Sequence, residues 1–130
     1  MERLRVTAVR VEHTPGHVAV TVKLTRGTTT LTARIDRSAV ESQGVQVAAE
    51  AALEAIRQVV PRSARLVLHR AISQAMTAGA AVITHIVAET QQGQEHLVGS
   101  ALSRGGPLED AAVEAVVDAV DRRLTRYLQT

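Results

Sequence analysis

Five histidines, His13, His17, His69, His85 and His96, are the side chains of this chain best suited to holding a metal. Their spacing argues against it. Neither H-x-x-x-H nor H-E-x-x-H occurs, the patterns that place two ligands on one helical face. A metal centre would need His69, His85 and His96 to meet across neighbouring strands, and solvated or hydrogen-bonded strand histidines are the simpler reading. Glu50/Glu54 and Glu114/Asp118 have the i, i+4 spacing of carboxylate pairs suited to acid–base work. On a helix's wet stripe that spacing reads as a solvated face instead. Ser38, Ser42, Ser100 and Ser103 have no His/Asp context that would make a nucleophile. The expectation is a protein that is not an enzyme and needs no cofactor or metal. More informative is Ser103-Arg104-Gly105-Gly106-Pro107. Ahead of a helix it presents free backbone N–H groups at a positive helix end, a seat for a carboxylate or phosphate. A glycine turn before a helix, with no ligand, is the plainer alternative.

The elements that position these residues follow from periodicity. Residues 4–13 have the Val and Thr density of a strand, and Thr14-Pro15-Gly16 is turn chemistry. Residues 17–25 alternate clearly, with Val18, Val20, Val22 and Leu24 on one face. After Arg26-Gly27, residues 28–36 make a third strand with Leu31, Ala33 and Ile35 inward. A helix is predicted over 45–60. Its wet stripe is Gln46, Glu50, Glu54 and Arg57, and Pro61 ends it. The plan then repeats, with strands over 65–75, 81–90 and 95–103 and a helix from Pro107 to Leu128. Glu109 and Asp110 sit where the helix dipole favours anions. Self-similarity supports the repeat, since AEAALEAI at 49–56 lies over VEAVVDAV at 113–120. The predicted fold is α+β: two βββα units, about 1–62 and 63–130, with antiparallel sheets and helices packed on one side.

Composition fits one domain of 130 residues with an aliphatic core, because Tyr127 is the only aromatic. The absence of cysteine fits a cytoplasmic protein, and no apolar run approaches the length of a membrane span. The pI of about 9.9 accompanies a net charge of only +2. Ten Arg/Lys stand against six Asp/Glu through Arg65, and five against seven beyond it. With acidic helices and no aromatic platform, nucleic-acid binding is not the expected class. The strand at 81–90 is apolar on both sides, with Val82, Ile86 and Ala88 on one and Ala81, Ile83 and Val87 on the other. The helices are apolar over more than half their circumference. A partner subunit is therefore expected, burying Ile83, Val87, Val116 and Val120 in a homodimer or larger closed oligomer.

Two βββα units that each end in a glycine-containing loop and an Ala-rich helix resemble the C-terminal regulatory domain of 2-isopropylmalate synthase and citramalate synthase. One loop–helix junction of that family reads approximately G-x-G-x-G-P-hydrophobic-x-A, and Gly99, Gly105-Gly106-Pro107-Leu108 and Ala111 are similar to it. The family's second helix ends near A-x-x-A-x-N-R, and residues 115–122, AVVDAVDR, are similar with Asp121 in place of Asn. The first unit departs from the family, with Ala33 and Asp36 at the strand end and Gly44 its only loop glycine. No catalytic barrel accompanies the pattern, so catalysis is not carried over. The resemblance implies a stand-alone, dimeric regulatory-type module, with an amino-acid-like effector between the loops that precede the helices and an enzyme partner in trans. The ligand residues expected on this basis are Gly44, Ala48, Ser103, Arg104, Gly105, Gly106 and Ala111. A structural or protein-interaction module of the same fold, without ligand, is the alternative.

Overall fold

Val18, Val20, Val22 and Leu24 set the first sheet, since their alternation gives one strand a single apolar face. In the computed structural model, which describes residues 3–39 and 43–128, that strand is β2 (His17–Arg26). It is flanked antiparallel by β1 (Leu4–Thr14) and β3 (Thr29–Ser38). The helix α1 (Gly44–Arg57) follows. A second meander, β4 (Arg65–Met76), β5 (Gly79–Thr90) and β6 (Gly93–Ser103), leads into α2 (Leu108–Leu128). The fold is thus βββα twice, as the periodicity predicts. Ser42 lies outside the described residues. All four hairpins are tight, closing at Thr14↔His17, Arg26↔Thr29, Met76↔Gly79 and Thr90↔Gly93. A glycine with positive φ sits in or beside each turn, at Gly16, Gly27, Gly79 and Gly93.

The helix α1 stops at Arg57 rather than running to Val60. The N–H groups of Gln58 and Val59 bond three residues back, to the carbonyls of Ala55 and Ile56, at 3.3 and 3.1 Å. The helix tightens in its last turn because Pro61 cannot continue it.

Each helix packs on the later two strands of its own sheet, on the first strand of the other sheet and on its fellow helix. Small residues permit the close approach. Ala48, Ala49, Ala51, Ala52 and Ala55 are fully buried in α1, as are Ala112 and Ala115 in α2. Gly99 on β6 is required by the same packing, since a Cβ there would strike the Ala115 carbonyl and the Ala119 amide of α2.

This arrangement corrects one expectation. Val116 and Val120 have no exposed surface, and Val113 and Val117 are buried beside them. The wide apolar girth of the helices is covered by two sheets and a second helix of the same chain, so these valines offer nothing to a partner. The two-sided apolar pattern of β5 has a different outcome. Val82, Ile86 and Ala88 join the core, whereas Ile83 is half-buried on the opposite face and Val87 is buried there outside the core cluster.

Candidate functional site

Gly44 opens α1, and Gln43 before it makes no side-chain cap. The first turn of α1 holds no acidic residue to complement the helix dipole. Glu109, in the first turn of α2, supplies the missing charge across the helix pair. Its carboxylate lies against Gly44, where a Cβ would collide with it. The two helix starts are therefore neighbours. The positive end of α1 is faced by the chain's own carboxylate, a favourable placement in a dipole field.

The loop leading into α2 is partly closed on itself. Ser103 is buried, and its hydroxyl donates to the Gly106 carbonyl at 2.7 Å. Gly79 packs against the Ser103 carbonyl so closely that no side chain would fit. Gly105, at φ +87°, and Gly106 face open space, and Arg104 is exposed. Pro107 precedes α2 directly, where its missing N–H costs no helical bond.

Of the expected ligand residues, the structure brings Gly44 to the start of α2 and leaves open space where Gly105 and Gly106 lack a side chain. Ser103 spends its hydroxyl inside the loop. Ala48 and Ala111 do not line open space as expected. They are 0% and 5% exposed and belong to the core, because the helix–helix contact takes up the room their small side chains leave.

Several polar residues have structural roles that sequence alone does not show. Asp118 accepts from the Ser100 amide at 3.1 Å, and Asp121 from the Leu4 amide at 3.0 Å. Gln46 accepts from the Ala71 amide at 3.3 Å, and Gln58 donates to the Thr32 carbonyl at 2.7 Å. The wet stripes of the helices thus bind edge strands of both sheets, which corrects the reading of Asp118 as merely solvated. Glu114 does face outward, and burial, with Asp110 adding to it, pushes its carboxyl above the usual range. Arg57 donates to the Leu66 carbonyl and pairs with Glu54 at 2.8 Å.

Three of the histidines meet on neighbouring strands of the second sheet. His85 Nε2 and His96 Nδ1 are 2.8 Å apart, and His69 meets the His85 ring edge-on at 5.0 Å. Among the described residues no group of three His, Asp or Glu is arranged to hold a metal.

A feature that sequence reasoning missed is a cavity of about 220 Å³ at the other end of α2, lined by Ser63, residues 90–95, Arg126 and Tyr127. Inside it Tyr127 donates to Glu95 at 2.5 Å, and Arg123 lies 3.6 Å from the same carboxylate. Burial, followed by the Glu95 hydrogen bond and charge, raises the phenol pKa above its ordinary value. The lone aromatic near the end of an otherwise aliphatic chain was the available signal.

Residues 2–56 match the family model of the TOBE domain. The matched stretch runs from just before β1 almost to the end of α1, so it covers the first βββα unit and less than half of the chain. In that unit the chain is similar to a family of small, non-catalytic binding modules. No curated protein matches the chain. No helix among the described residues is long and apolar enough to cross a membrane.

Proposed function

We propose that the chain is a non-catalytic, regulatory-type module that holds a small amino-acid-like effector where its two helix starts meet. One observation carries this reading: Gly44 and Glu109 touch, and the loop into α2 has open space on the side where Gly105 and Gly106 lack a side chain. An amino acid has matching poles. Its carboxylate suits free N–H groups at a helix start, and its ammonium suits the Glu109 carboxylate. The resemblance of Gly99, Gly105–Leu108 and residues 115–122 to the regulatory domain of 2-isopropylmalate synthase supports the same class of effector. The TOBE-like first unit supports a binding module more broadly, since such domains often bind or regulate in molybdate transporters. On this reading the module works in the cytoplasm as a dimer and acts in trans on an enzyme.

Thermal-shift titration with branched-chain amino acids, the matching 2-keto acids and molybdate tests this proposal. A bound effector raises Tm by mass action as its concentration passes Kd. The expected result is a saturable rise with an amino acid that Glu109→Gln weakens about tenfold or more. Keto acids lack the ammonium, and their response should not depend on Glu109. Silence across the panel would favour the second reading, a protein-interaction module without ligand. The apolar outer face of β4–β6 is the observation that supports that alternative.

A further inference from the structure

The two sheets differ on the faces turned away from the helices. On β1–β3 that face carries Arg10, Lys23 and Arg34 with Glu12, Asp36 and threonines, which water solvates readily. On β4–β6 the corresponding face is apolar. Ile72 and Ile83 are partners in register on it, and Val87 is buried there apart from the core. The large hydrophobic side chains exposed among the described residues are Met76, Val98 and Leu102, at 55%, 59% and 49%. By strand register all three belong to this one face.

We propose that the outer face of β4–β6 seats a second copy of the chain, sheet against sheet. The proposal rests on the self-association part of the reading above and is independent of the effector. Three strands of 11 or 12 residues present roughly 500 Å² in projection. Side-chain relief brings the accessible area towards the about 800 Å² per partner that stable dimers bury. Charge also favours a like partner. The middle of the face holds only Arg70, and Arg65 and Glu89 at one end are opposite in sign. These charges sum to only +1, too little to call for an oppositely charged protein, and sheets stack face to face at about 10 Å.

His69, His85 and His96 lie across the same face, with His85 Nε2 and His96 Nδ1 2.8 Å apart and the His69 ring edge-on to His85 at 5.0 Å.

Light scattering of the purified chain at micromolar concentration, without effector, tests this. At about pH 7.5 the expected mass is twice 13.9 kDa. Leu102→Glu and Val98→Glu should each weaken pairing at least about tenfold, because a charge would be buried unpaired. Lys23→Glu, on the other sheet, should leave the dimer intact. The replaced side chains are exposed, and circular dichroism confirms that each variant folds. A wild-type chain that stays monomeric overturns the proposal. A dimer indifferent to Leu102→Glu and Val98→Glu also overturns it, leaving self-association standing through another surface.

Discussion

Tyr127 shows how much a single side chain can report. It is 3% exposed, donates to Glu95 and has its phenol pushed above the ordinary value, chiefly by burial. A raised folded-state pKa means that the tyrosine's contribution to stability is complete below about pH 10, the value in an unfolded chain. That contribution is lost as pH rises through the folded value. With no other tyrosine or tryptophan present, ultraviolet absorbance follows this one group. The expected titration has its midpoint above pH 10 while the fold persists; half-ionisation near 10 would contradict the burial. Tyr127→Phe should cost about 1.5–3 kcal/mol in denaturant unfolding, as expected for a lost hydrogen bond to a charged acceptor. Residues this far apart in the chain carry no spacing signal, so the pairing was not legible in the sequence. Ala48 and Ala111 misled for a related reason: smallness marks close helix contact as readily as room for a ligand.

At the scale of elements, alternation in β2 and the repeat of AEAALEAI as VEAVVDAV were enough to place six strands and two helices. The polar stripes of the helices were harder to read, because a solvated carboxylate and one that accepts an edge-strand N–H look alike in one dimension. Asp118, Asp121, Gln46 and Gln58 each reach an edge strand and so blunt edges that would otherwise invite pairing with another chain. Asp121→Ala should therefore destabilise the fold by about 1–2 kcal/mol, since the Leu4 amide loses its acceptor. Asp121→Asn keeps a carbonyl oxygen there, as the resembled family does, and should recover most of the loss. Chemical denaturation of both variants checks this, and equal losses for Ala and Asn would show that charge, not the acceptor, matters. Gly99 belongs to this scale too. A family-like motif pointed to it, but its reason is the backbone of α2 lying against β6.

The whole molecule explains the largest misreading. Helices apolar over most of their girth suggested a partner, yet two sheets and a second helix cover them within one chain. Among the described residues the large exposed hydrophobic side chains lie on the outer face of β4–β6, which the two-sided pattern of β5 did announce. The same pseudo-symmetric packing brings the helix starts together, so Gly44 meets Glu109 across the repeat, and the proposed effector site depends on that meeting. Amide chemical shifts of the nitrogen-15-labelled chain, followed through a titration with leucine, isoleucine and valine, examine it most directly. The account predicts saturable shifts at Gly44, Gly105, Gly106 and Glu109 for at least one of these ligands. Spectra unchanged to millimolar ligand, or shifts confined to the Tyr127 cavity, would contradict it.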